Sequence, residues 1–259
     1  MPRRRNLLIV FLLLVAAAAT ATYVVYIYVA PRDLAAVLRL YGRDGRARLQ
    51  PYFARAHVAY PPRRITLLAF KRERRLVLWA GDGKTWHFIR DYPILAASGR
   101  AGPKLLQRDY QVPEGLYRIE YLNPSSSYHL SMKVSYPNAF DRQQAAVDHR
   151  TKLGGDIFIH GKNVSIGCIA IGDPAIEEVF TLAADTGPQN VRVIIAPNDL
   201  RIAGAAMSED TPHWVAGLYR SIAAALVEFP VWLEANSNID VRGLSKEGFR
   251  SKVAPVAVR

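Results

Sequence analysis

The 259-residue chain is half apolar and 22% charged, proportions of a packed globular protein rather than a disordered one. Its formal net charge is +12, but Arg3, Arg4 and Arg5 carry three of those charges, residues 31–75 carry nine more, and residues 76–259 sum to zero. A nucleic-acid-binding domain keeps its basic excess on the recognition face, so that class is excluded, whereas a basic segment beside an apolar run suits contact with anionic lipid or wall polymer.

The first predicted element is the run Asn6–Ala30, 25 residues without a charge. A membrane-spanning helix needs roughly 20 apolar residues and a signal-peptide core about 7–15. Residues 1–30 are therefore read as a basic cytoplasmic stub and an uncleaved signal anchor in the inner membrane. The rest of the chain then lies outside the cytoplasm, in the periplasm. Ala19-Thr20-Ala21 keeps a cleaved secretory signal open as the alternative. Residues 31–63 follow as a basic helical linker, with "RDLAAVLRLYG" ending on glycine, "ARLQPYFARA" resuming at helical spacing and Pro61-Pro62 closing it.

From residue 64 the texture becomes that of strands: "RITLLAF", "RRLVLWA", "KTWHFIRDY" and "ILAAS", then "GLYRIEYL", "SYHLSMKV", "GDIFIH", "GCIAIG" and "NVRVIIA". β-branched and aromatic residues dominate these runs, and turn formers such as Gly81-Asp82-Gly83 separate them as in a meander. Two helices are expected among them. One covers roughly residues 139–150; the other opens at Asp173-Pro174, with Asp173 as N-cap and Glu177 and Glu178 complementing the helix dipole. The fold class is thus mainly β with flanking helices (α+β), over residues 64–200. Residues 201–259 form a C-terminal extension with a late amphipathic helix at 211–229 and a polar tail.

The chemistry concentrates in "LGGDIFIHGKNVSIGCIAIGDPAIEEVF", residues 153–180. Cys168 is the one cysteine, so the chain makes no internal disulfide. His160 ends a strand run, and eight residues later comes Cys168. Left extended, the two would stand about 26 Å apart. Gly161, Asn163 and Gly167 supply the permissive backbone that folds the segment back. Brought together, imidazole takes the thiol proton, thiolate attacks an amide carbonyl, and the same histidine protonates the leaving amine. The N–H groups of Gly167 and Cys168 are the candidate oxyanion hole. Spacing alone leaves open both this pair and a core histidine beside an inert buried cysteine. No H-x-x-x-H pair or CxxC is present, so no metal or cofactor is expected.

This block resembles the catalytic motif of L,D-transpeptidases (YkuD domains): His-Gly, a loop, then Ser/Thr-His-Gly-Cys followed by Arg or Asn. Ile166 stands where the second histidine is usual and Ala170 where the arginine is, a variant similar to the YafK-like branch. The upstream segments "PEGLYRI" (113–119) and "LNPSSSYHLSMKVSYPNAFDR" (122–142) are similar to that branch too. The resemblance implies a YkuD-type β-sandwich with Cys168 as nucleophile, His160 as base and the Gly161 carbonyl orienting the imidazole. It implies peptidoglycan as substrate, cut at the meso-diaminopimelate centre of the stem peptide, and no nucleic-acid partner. Transfer to an amine is the leading outcome. Hydrolysis of peptide or lipoprotein links to the wall is the alternative within enzymes, and a non-catalytic wall-binding module the alternative outside them. His129, Ser165, Lys162 and Arg142 are the candidate substrate contacts, with Lys133 nearby. Asp141-Arg142 is read first as a helix-start ion pair and second as a grip on substrate carboxylates, His129 is equally read as a structural histidine, and Glu114 is read as the holder of a turn.

Overall fold

The computed structural model describes residues 12–20, 33–82 and 85–231. Residues 12–20 are helical, and the rest of the run 6–30 lies outside the described residues, as does the tail 232–259. Among the described residues no helix is long and apolar enough to cross a membrane, so the expected anchor falls on residues of which only this portion is described.

Eight strands form one mixed sheet in the order β3-β2-β1-β8-β4-β5-β6-β7. The first three, β1 (Arg64–Phe70), β2 (Arg75–Gly81) and β3 (Trp86–Pro93), make the expected antiparallel meander. β8 (Val191–Ala196) then inserts parallel to β1, with Ile65 opposite Val191 and Phe70 opposite Ala196. β4 (Gly115–Asn123) is the hinge between halves. Its start, Gly115–Arg118, pairs with β8, and its end, Ile119–Asn123, pairs with β5 (Ser131–Val134). Short β6 (Phe158–His160) and β7 (Ile169–Ala170) complete the far edge. The expected sandwich therefore takes the form of one continuous sheet, curled so that Leu67 and Val193 of one half share a core with Met132 and Ile159 of the other.

Burial explains the sequence texture. β1 and β2 are covered on both faces, one by the main core and the other by a second cluster under helix α5 (Val215–Leu226), so they read as continuous apolar runs. β4 is covered on one face only and alternates buried with exposed residues. "ILAAS" is not a strand: it contributes a single bridge, Ala96 to Ala170.

Residues 34–55, expected as part of a linker, are packed into the domain. α1 (Leu34–Val37) runs through a π-helical turn, Leu38–Gly42, into α2 (Arg43–Arg55). Val37, Leu49 and Phe53 are fully or almost fully buried in the main core. The basic residues that suggested lipid contact are partly spent on α4 (Asp173–Thr186). Arg46 grips Asp185 through two bonds of 2.7 Å, and Arg48 reaches both Glu177 (2.8 Å) and Glu178 (2.9 Å). Glu177 and Glu178 thus act as ion-pair partners for the N-terminal helix rather than as dipole complements. Helix α3 (Ala139–Val147) starts with a capping box, Asn138 and Asp141 exchanging backbone-to-side-chain bonds of 3.0 and 2.9 Å. Asp141 is therefore a cap and not half of the expected ion pair. Glu114 holds more than a turn: its buried carboxylate ties Lys71 (2.8 Å) to Tyr219 of α5 (2.8 Å).

Candidate active site

β6 and β7 run parallel with Ile159 opposite Ile169 and His160 opposite Ala170. Cys168 immediately precedes β7, so it lies one strand over and two residues back from His160. At about 3.3 Å per residue and 4.8 Å between strands, their backbones are about 8 Å apart. Same-face positions let both side chains reach one space, and both line a cavity of about 490 Å³. The fold-back required of residues 160–168 is achieved.

Two glycines make it possible. A Cβ on Gly161 would sit 2.6 Å from the Asp173 carboxylate and 2.8 Å from the Tyr128 carbonyl, so no side chain fits there. Gly167 has φ +121°, a conformation other residues rarely adopt. Between them, Asp173 accepts the Lys162 amide N–H at 2.7 Å. That is the work of the carboxylate expected to cap α4, whose N-cap position is Gly172.

His160 is 2% exposed, and its Nδ1 bonds the Gly161 carbonyl oxygen at 2.6 Å. A carbonyl only accepts, so Nδ1 carries the proton and Nε2 of the neutral ring keeps its lone pair. The Tyr128 ring stacks on the imidazole with centroids 4.6 Å apart. Burial lowers the His160 pKa from its ordinary 6.5, against the opposing pull of the Gly161 bond. Burial raises the Cys168 thiol above 9.0, helped by the nearby Asp156 charge and opposed by a Phe158 backbone bond and by Lys133 and Lys104. Both shifts favour the neutral forms, thiol and imidazole, over a preformed ion pair.

The expected oxyanion donors are occupied. Ser165 Oγ accepts from the N–H of Gly167 (3.2 Å) and of Cys168 (3.1 Å) and donates to the Cys168 carbonyl (2.7 Å). Ser165 lines the cavity, but its hydroxyl serves the backbone of the Cys168 loop. For an oxyanion to use these N–H groups, the hydroxyl must yield them. Losing a hydroxyl with three such bonds costs about 1–2 kcal/mol. Ser165→Ala should therefore lower the melting temperature by a few degrees, at about 2–4 °C per kcal/mol for a domain of this size. An unchanged thermal melt would show that the hydroxyl does not hold the loop.

The remaining substrate candidates do not converge on the cavity. His129 has φ +74° in a turn before β5, not in the expected strand, and its ring does not line the cavity. Its Nε2 meets Glu177 at 2.9 Å and its ring packs edge-on to Tyr41. Tyr128 takes the cavity-facing place instead. Lys162 Nζ donates to the Ser127 carbonyl at 2.7 Å. Arg142 is exposed on α3 and donates to the Pro137 carbonyl. Lys133 is buried, donating to the Val134 carbonyl at 3.0 Å. What sequence reading missed is the rest of the cavity lining, Tyr110, Arg108 and Asp156 among it. Asp156 lies in the block 153–180 without holding a motif position, Arg108 and Tyr110 lie outside every quoted segment, and all three have positive φ, which composition does not signal. Among the described residues no three His, Cys, Asp or Glu side chains group as a metal site.

Residues 64–195 match the family model described as the L,D-transpeptidase catalytic domain, YkuD. Two curated proteins named "Putative L,D-transpeptidase YafK", from Escherichia coli K12 and O157:H7, are each 37% identical over 133 residues, 49% of this chain and 52% of theirs. The chain thus spans about half the length of the curated relatives it matches. Among solved structures, the helical cell shape determining protein Pgp2 of Campylobacter jejuni aligns at 23% identity and TM-score 0.43, covering 57% of this chain and 51% of Pgp2. L,D-transpeptidase 1 of Mycobacterium tuberculosis aligns at 13% identity and TM-score 0.29, covering 51% of this chain and 61% of that one.

Proposed function

Since this chain belongs to the L,D-transpeptidase (YkuD) family, in its YafK-like branch, we propose that it is a cell-envelope acyltransferase acting on peptidoglycan stem peptides through Cys168. The observation that carries this is the meeting of Cys168 and His160 in one cavity, with the imidazole held by the Gly161 carbonyl so that Nε2 is free. Nε2 removes the thiol proton as sulfur attacks the amide carbonyl at the diaminopimelate centre. The imidazolium then returns that proton to the departing amine, leaving a thioester on Cys168. An incoming amine, or water, attacks the thioester; its proton passes to His160 and the thiolate leaves. The catalytic unit is residues 64–200 with residues 34–55 packed against it, and the run 6–30 would hold it at the inner membrane with the cavity facing the wall.

Transfer and hydrolysis share the thioester and differ only in the second nucleophile. Wall fragments offered with a labelled amine should yield label joined to the diaminopimelate carbonyl. Release of a linked peptide or lipoprotein at a rate indifferent to amine concentration would move the protein to the amidase reading.

The pKa directions fix a pH profile. The base must be neutral, and its depressed pKa keeps it neutral below 6.5, so the acid limb of kcat/KM should fall below that value. The thiol, pushed above 9.0, stays protonated up to there, so the profile should be level between the two limits. An acid limb centred above 6.5 would contradict this arrangement.

A further inference from the structure

Two charged side chains in the cavity are unused by the steps above. Arg108 and Asp156 both line it and both are exposed, and neither the guanidinium nor the carboxylate has an ion-pair or hydrogen-bond partner among the described residues. Their charged neighbours are neutralised, Lys104 by Asp109 and Arg150 by Asp148 at 2.9 Å. Arg108 has φ +64° and Asp156 φ +53°, a left-handed backbone that non-glycine residues adopt only where the surroundings enforce it. The enforcement is visible. The Asp109 carboxylate accepts the N–H groups of Leu105 and Leu106 (2.9 Å each) and of Gln111 (3.1 Å), and Gln107 N donates to the Lys152 carbonyl at 2.8 Å. Asp156 is fixed beside the nucleophile, its carbonyl 3.6 Å from the Cys168 sulfur.

An unpaired cation and an unpaired anion in one cavity fit a ligand that carries both charges on one carbon, the head of an α-amino acid. We infer that Arg108 and Asp156 clamp the free amino-acid head of the substrate's diamino acid, Arg108 on its carboxylate and Asp156 on its ammonium. This rests on the proposed function and deepens it. The thiolate attacks the carbonyl at one centre of the diamino acid while the clamp holds the other. Donors whose second centre is already cross-linked or amidated are thereby disfavoured.

The test is binding to the full chain carrying Cys168→Ala, titrated by calorimetry with a stem tripeptide ending in meso-diaminopimelate. Adding Arg108→Gln should weaken binding roughly tenfold or more, the loss expected for one charge-assisted pair. The same substitution should leave unchanged the binding of a tripeptide amidated at the free carboxylate of the second centre. Asp156→Asn should weaken binding of the plain tripeptide comparably but not that of one N-acetylated there. Arg108→Lys, which keeps the charge, should retain most of the affinity. Neither residue has a partner to lose, so melting temperatures should not move. No binding of the plain tripeptide up to millimolar concentration, or equal losses on plain and modified peptides, overturns the clamp. Binding is read without the nucleophile, so its failure would leave acyl transfer at Cys168 standing. A missing Cys168 thioester would likewise leave a positive binding result intact.

Discussion

Cys168→Ala should lower turnover of a stem-peptide substrate by about 10⁴-fold or more, because both chemical steps pass through a bond to its sulfur. His160→Ala should cost nearly as much, and the double variant little more than either single one, since nucleophile and base act as a unit. Cys168 is only partly buried and its sulfur meets only backbone groups, the Asp156 carbonyl at 3.6 Å and the Phe158 backbone, so its loss should leave the melting temperature nearly unchanged. His160 is different. It is almost fully buried under Tyr128, and its removal opens a space in the wall of the cavity, so its variant should be read at a temperature well below its own melt. Ile166 lines the cavity but is 70% exposed and carries no group that can move a proton, so Ile166→Val should keep most activity. Turnover by the Cys168 variant within tenfold of the parent would remove the nucleophile assignment.

The largest effect on stability is expected at Glu178. Its carboxylate, on a residue 3% exposed, receives Arg90 at 2.7 Å, Arg48 at 2.9 Å and the Tyr92 hydroxyl at 3.0 Å. Glu178→Ala strands the Arg90 guanidinium and the fully buried Tyr92 hydroxyl without their acceptor. Breaking such a group from one side costs about 3–5 kcal/mol, and the lower figure applies because Arg48 is about a third exposed. At about 2–4 °C per kcal/mol the melting temperature should fall by roughly 6–12 °C. Glu178→Gln keeps an acceptor and the volume, so it should lose less. A urea titration placing the alanine variant within 1 kcal/mol of the parent would show that α2, α4 and β3 are not joined through this carboxylate.

Much of the sheet was readable from the chain. Residues 64–70, 75–81 and 191–196 are apolar runs because both sheet faces are covered, and β4 alternates because one is not. The order of the strands was not readable, since nothing local in "NVRVIIA" says that it inserts between β1 and β4. That Cys168 and His160 would come to one cavity was legible from the glycines between them, and the bond from His160 Nδ1 to the Gly161 carbonyl was expected from the family resemblance. The substrate wall was not. His129 and Tyr128 exchanged places through one left-handed residue, and Ser165 took up the N–H groups expected to be free. Lys162 and Arg142 found backbone acceptors near them, which a count of charges does not foresee. Residues 34–55 looked like a linker because their arginines stand out, although Leu49 and Phe53 keep the four-residue spacing of one buried helix face.

The most direct test of the account is intact-protein mass spectrometry of the full chain quenched in acid after brief exposure to peptidoglycan stem tetrapeptide. The account predicts a mass increase equal to the acyl portion of the peptide, mapped to the fragment bearing Cys168 and removed by hydroxylamine, as a thioester requires. It should be absent from Cys168→Ala and strongly reduced in His160→Ala. Release of the leaving group without any adduct on Cys168, or an adduct on another residue, would contradict it.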